Sequence, residues 1–142
     1  MIKRIQNINH DTFRLYGYFI EYDSQKSEGF QVVLKETGKV GWRIAVSKIT
    51  KNKVRMLGKH PNSMESFEPL SGVTILLVAL PETPENFEVF LLDRPVCLFP
   101  NIWHATLSLS EYSLLKVTEN LEVDSDKYHF EREFEIALIQ KQ

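Results

Sequence analysis

Val73-Thr74-Ile75-Leu76-Leu77-Val78-Ala79-Leu80 has a single polar side chain, that of Thr74. The run is far shorter than the ~20 apolar residues that span a bilayer. It is too apolar for a strand with one wet face, so it reads as a strand covered on both sides. Downstream, Pro81 to Asn86 is a loop and Phe87 to Leu92 a strand, turned by Asp93-Arg94-Pro95. Val96 to Phe99 is short and apolar. Trp103 to Leu109 alternates: Trp103, Ala105, Leu107 and Leu109 face one way, His104, Thr106 and Ser108 the other. Tyr112 to Thr118 and Phe134 to Ile139 complete the strand signals. Upstream lie Val54 to Gly58, a turn at Lys51-Asn52-Lys53, and Trp42 to Ile49 with Trp42, Ile44 and Val46 on one face. Before these come a turn at Thr37 to Gly41 and strand signals at Phe30 to Leu34 and Tyr18 to Tyr22. The one helical signal runs from Asn9, a capping residue, to Gly17, a candidate left-handed stop, giving a helix of about two turns. Many short strands and almost no helix predict an all-β barrel or sandwich. A late strand bearing Phe134, Ile136, Leu138 and Ile139 predicts a sheet edge that a second subunit would cover.

With 142 residues the chain is expected to form one domain, 1–142. A formal net charge of −2 gives no field to hold phosphate backbones, so nucleic acid is not the expected partner. Lys48, Lys51, Lys53 and Arg55 cluster, and read as a solvated loop and strand start. The first ten residues have no apolar core of a secretory signal, and no segment is expected to enter a membrane. Cys97 is the single cysteine; it excludes an intrachain disulfide and reads as a small core residue. A cytoplasmic location fits. No glycine-rich strand-to-helix turn marks a nucleotide or flavin.

Of the four histidines, His10 and His129 are expected at the surface, the latter in a charged tail segment. His60 and His104 stand at strand boundaries beside turn formers, in Lys59-His60-Pro61-Asn62-Ser63 and Pro100-Asn101-Ile102-Trp103-His104. Singly, each has an ordinary structural reading, as does Glu65. Together, two imidazoles and a carboxylate make an open site for a divalent ion such as Zn²⁺, Mn²⁺, Fe²⁺ or Ni²⁺.

The spacing of His60, Glu65 and Gly72 resembles the first motif of the cupin superfamily, with Gly58 where that motif has its first histidine. Pro100-Asn101-Ile102-Trp103-His104 resembles the second, with Asn101 where glycine is usual. A closer resemblance, to the ureidoglycolate lyase family, rests on three elements. These are Phe13-Arg-Leu-Tyr-Gly17 with Phe19-Ile-Glu21, the stretch from Lys59 to Gly72 with its Phe67-x-Pro69-x-x-Gly72 ending, and Asn101-Ile-Trp-His104. Relatives usually carry a second histidine after Trp-His, where this chain has Ala105. The resemblance implies a cupin-type double-stranded β-helix or jelly-roll barrel with a short N-terminal helix, a homodimer, and release of urea from ureidoglycolate to give glyoxylate. It implies His60, Glu65 and His104 as catalytic and metal-binding residues. His60 or His104 would serve as general base, and Glu65 as general acid if burial raises its pKa. Arg55 or Lys59 would clamp a small carboxylate substrate, with Asn101 and Trp103 also at the binding site. Two other functions fit the same features: a non-catalytic cupin that binds or senses a small carboxylate or sugar, and a metal-dependent isomerase or dioxygenase.

Overall fold

A computed structural model describes residues 1–140. Its strands form two sheets. One has six strands: β1 (Ile5–Asn7), β4 (Lys53–Lys59), β6 (Thr74–Ala79), β7 (Glu88–Leu92), β9 (Trp103–Ser108) and β11 (Asp126–Glu135), in the spatial order β1-β7-β6-β9-β4-β11. The other has five: β2 (Gly17–Phe19), β3 (Trp42–Ile49), β5 (Glu65–Ser71), β8 (Val96–Leu98) and β10 (Ser113–Asn120), in the order β2-β8-β5-β10-β3. Among the described residues only the β1–β7 pair is parallel. The fold is all-β, two sheets with a short N-terminal helix.

Strand β6 explains the two layers. All six of its residues are buried. Leu76 and Val78 enter the core between the sheets, with Phe13, Phe67, Phe90, Leu115 and Val117. Ile75, Leu77 and Ala79 enter a second cluster on the outer face of the six-stranded sheet, with Leu57, Phe87, Trp103, Leu107 and Phe130. Burying a Leu or Ile side chain stabilises by about 1.5–3 kcal/mol, so a polar β6 would leave both clusters without a centre. The turn that enters β6 uses Gly72 at φ 72°, where a side-chain carbon would lie 2.4 Å from the Tyr112 carbonyl oxygen. Glycine is required there for both backbone and space.

Several expectations change. Helix α1 spans only His10–Phe13, capped by Asn9 Oδ1, which accepts from the Asp11 and Thr12 amides at 2.9 and 3.1 Å. Gly17 does not close this helix. It lies in β2, where any side chain would meet the Cys97 carbonyl oxygen at 2.4 Å, so it serves strand approach. Phe30 to Leu34 is not a strand: residues 20–41 form none, and Phe30 is 88% exposed. That segment has no strand beside it, and Gln31 instead folds it back by bonding both Asp23 and Glu28. The last strand ends at Glu135, and the segment expected to be a charged tail lies within it. Strand β11 is a free edge of the six-stranded sheet, as expected; Phe134 and Ile136 pack against the second cluster of this same chain, and Leu138 and Ile139, beyond the strand, are exposed.

Candidate active site

The two motifs meet between the sheets. His60 follows β4, Glu65 opens β5 and His104 is the second residue of β9. Glu65 Oε2 lies 3.1 Å from His60 Nε2 and 2.8 Å from His104 Nε2. Neither contact has the alignment of a hydrogen bond, and this oxygen is buried with no hydrogen-bond partner. The far side of each ring is committed. His104 Nδ1 lies 2.9 Å from the Ile102 carbonyl oxygen, and His60 Nδ1 3.2 Å from that of Asp124 and 3.0 Å from Ser125 Oγ. A carbonyl only accepts, so each Nδ1 carries a proton, and each Nε2 faces the carboxylate, offering it a lone pair when that ring holds one proton and an N–H when it holds two. Two lone pairs and an anion converging in a buried place call for a cation, either a proton or a metal ion. One ligand atom from each residue falls within 4.8 Å of the others. The donor set, the fixed tautomers and the orphaned oxygen fit a divalent ion with open positions for solvent and substrate.

Local sequence explains the placement. The His60 loop is pinned to the end of β10: Asn120 Nδ2 donates to the Asn62 carbonyl at 2.9 Å, and the Asn120 amide donates to Ser63 Oγ at 3.1 Å. The Asp124 amide donates to Asn62 Oδ1 at 3.0 Å, which holds the carbonyl that orients His60. Asn101 stands at φ 74°, the left-handed turn anticipated for a residue replacing glycine. Its amide donates to the His60 carbonyl at 3.0 Å, tying the two motifs together.

In the metal-free protein burial raises the Glu65 pKa, but the two adjacent imidazoles, by hydrogen bond and charge when protonated at Nε2, outweigh it and hold the carboxyl at about 2. Glu65 is therefore an anion and not the general acid expected of it. Glu65 raises the pKa of His60 against the opposing effect of burial, and Glu119 adds to the rise. Burial pushes the Cys97 thiol up to about 11, consistent with a core residue and not a nucleophile.

A cavity of about 240 Å³ adjoins Glu65 and His104, walled by Phe67, Leu115 and Val117, with Ser47, Thr106 and Lys51 also lining it. Three expected substrate contacts lie elsewhere. Gly58 pairs with His104 across β4 and β9, so Lys59 points to the opposite face, where its Nζ sits 4.7 Å from the centre of the Trp103 ring. Trp103 belongs to the outer cluster, and its Nε1 donates to the Pro81 carbonyl at 3.0 Å. Arg55 reaches the Glu131 carbonyl. Ala105 alternates with His104 and packs with the outer cluster, so a histidine there would face away from the triad.

Sequence reasoning missed Glu119 and Arg43. Glu119 pairs with Glu65 on one side and Arg43 on the other. It continues the inward row of Leu115 and Val117. Arg43 Nη2 and Nε donate to Glu119 Oε2 at 2.8 and 3.1 Å. The inward alternation along β10 was the available signal. With neutral histidines, Glu65, Glu119 and Arg43 sum to one negative charge, which favours a cation beside them.

The family described as Ureidoglycolate lyase matches residues 6–137. This chain belongs to that family. Among curated protein sequences, none matches it. Solved structures similar to the chain include the oxalate decarboxylase of Bacillus subtilis, described for its Mn(II) centres, at 14% identity over 63% of this chain and 24% of that one, TM-score 0.47. The Lactobacillus farciminis oxalate decarboxylase formate complex gives 14% identity over 63% and 27%, TM-score 0.46. A dTDP sugar isomerase from Desulfovibrio desulfuricans G20 gives 11% identity over 79% and 78%, TM-score 0.45. The chain thus spans about a quarter of the length of these oxalate decarboxylases. Among the described residues no helix is long and apolar enough to cross a membrane.

Proposed function

We propose that this protein is a lyase that releases urea from ureidoglycolate, leaving glyoxylate. Family membership supports the substrate class. The observation that carries the reading is the approach of two Nε2 atoms and the buried Glu65 oxygen to within 4.8 Å of one another, beside the cavity that Glu65 and His104 line. His60, Glu65 and His104 would hold a divalent ion, which would act as a Lewis acid toward the hydroxyl and carboxylate oxygens of a 2-hydroxy acid. The Asp124 and Ile102 carbonyls fix both rings by accepting from Nδ1. Phe67, Leu115 and Val117 give the cavity an apolar wall, which lowers the local dielectric and strengthens charge interactions beside it. In the reaction the hydroxyl loses its proton, the carbon–nitrogen bond breaks as the carbonyl forms, and the departing urea nitrogen takes a proton.

Assay of urea and glyoxylate is expected to show turnover above the spontaneous reaction, lost on chelation and restored by a divalent ion. No rate above background with Zn²⁺, Mn²⁺, Fe²⁺ or Ni²⁺ overturns the reading; stabilisation by a small carboxylate that stays chemically intact would point to a binding module. The raised pKa of His60 favours a second reading, in which its Nε2 takes the hydroxyl proton and returns it to the urea nitrogen. Turnover by chelator-treated, metal-free protein would select that reading.

The active form we propose is a homodimer, with the contact moved from the late strand to β3. That strand is the free edge of the five-stranded sheet, and its outward side chains Trp42, Ile44 and Val46 are 69%, 52% and 63% exposed. Such a stripe on an open edge suits a second copy. Light scattering is expected to give twice the chain mass for the parent and the chain mass for Trp42→Glu; a monomeric parent overturns the proposal.

A further inference from the structure

The proposed substrate has two polar ends, and the triad accounts for one. We propose that Lys51 holds the other, donating from its ammonium to an acceptor oxygen remote from the hydroxy-acid head. In ureidoglycolate that oxygen is the ureido carbonyl, so this inference rests on the function proposed above and deepens it.

Lys51 lies in the turn between β3 and β4 and lines the same cavity as Glu65 and His104. Its carbonyl accepts from the Ser108 amide at 2.8 Å, which anchors its backbone at the end of β9 away from His104. The two positions are separated by about 13 Å along the strand. Laid along the cavity, a flexible four-carbon stem would shorten the remaining gap to the reach of a small substituted hydroxy acid. Between the two ends the wall is apolar, formed by Phe67, Leu115 and Val117. Lys51 is exposed, so a ligand with a polar head alone leaves its ammonium to solvent, whereas a ligand polar at both ends gives it an acceptor at the mouth of the cavity.

Lys53, the next lysine along the chain, does not line the cavity, and three other lysines nearby are otherwise engaged. Lys48 Nζ rests 4.8 Å from the centre of the Tyr112 ring, Lys59 on Trp103, and Lys116 lies 3.4 Å from Glu68 Oε1. Among the described residues Lys51 takes part in no salt bridge or cation–π contact. The basic cluster that reads as a solvated loop thus supplies one member to the cavity, because the β3–β4 turn borders that end.

Calorimetry on the full-length, metal-loaded protein tests this with two uncleavable probes. N-Carbamoylglycine carries both a carboxylate and a ureido group and lacks the hydroxyl; glycolate carries the head alone. Lys51→Met is expected to weaken N-carbamoylglycine about tenfold, the size of one charge-assisted hydrogen bond. It should leave glycolate and metal content unchanged, and Lys51→Arg should restore most of the loss. Equal weakening of both probes, no weakening of either, or no binding of N-carbamoylglycine by the parent overturns the proposal. The lyase reading fails separately: Lys51-dependent selectivity without ureidoglycolate turnover sinks the reaction and keeps the subsite, whereas normal turnover by Lys51→Met does the reverse.

Discussion

Glu65→Ala is expected to strip the protein of divalent metal and to bring ureidoglycolate breakdown down to the spontaneous rate. Loss of an outer-shell partner to a ligating histidine costs about 10–100-fold in metal affinity, and removal of a ligand atom costs more. Among the described residues three protein ligands are present, so the two imidazoles that remain cannot hold the ion against water. Metal content after gel filtration and urea release measure both effects; a variant with full metal content and turnover would remove Glu65 from the site. Glu65→Gln, close in shape, separates loss of charge from loss of packing.

The same carboxylate sets a pH dependence in the metal-free protein. Its folded pKa is lowered from 4.5 to about 2. The stability it contributes is therefore present above pH 4.5 and lost as pH falls through about 2, an effect of a few kcal/mol. His60 is shifted upward by the same contact, so its share is present below its ordinary pKa and lost as pH rises through the raised value. These describe one interaction from two sides and do not add. Melting of the metal-free parent is expected to peak between the two limits, and Glu65→Gln is expected to flatten that profile. An unchanged profile would show that the buried contact carries no net charge interaction.

Legibility from sequence followed the locality of the signal. Strand β6 announced burial on both faces through its own composition, and both clusters bear that out. His60, Glu65 and His104 were found because motif spacing fixes which residues open successive strands. What failed depended on partners far along the chain. Phe30 to Leu34 has strand-like residues and no neighbouring strand to pair with, and propensity yields to that. Gly17 looks like a helix stop locally, but a backbone 80 residues away in the chain, at Cys97, sets its role. Lys59 and Trp103 adjoin the two histidines in sequence, and strand alternation alone sends them to the other face. Arg43 and Glu119 enter the site from strands whose register cannot be read before the sheet exists.

Gly58 offers the sharpest test of the metal reading, because it stands where a further ligand would be expected and nothing fills the space. It is the residue paired with His104, so a side chain there emerges on the face that carries His104 and His60. A first side-chain carbon at Gly58 would meet only the Asp126 carbonyl oxygen, at 3.8 Å, an ordinary contact. Its φ is not in the left-handed region, so no backbone strain opposes a larger residue. Glycine inside a strand also weakens it, and replacement is expected to leave melting unchanged or higher. Gly58→His is therefore expected to add a third imidazole and to tighten divalent binding by at least about tenfold, the low end of what even an outer-shell partner changes. Turnover should fall in the same variant, because a catalytic ion works through positions left open to water and substrate. Competition with a chromogenic chelator reads the affinity, and the urea assay reads the rate. Tighter binding with slower release of urea would place both the ion and the substrate at the triad. A well-folded Gly58→His protein with the parent's metal affinity would mean that the three side chains converge on a proton, and the chemistry would pass to Nε2 of His60.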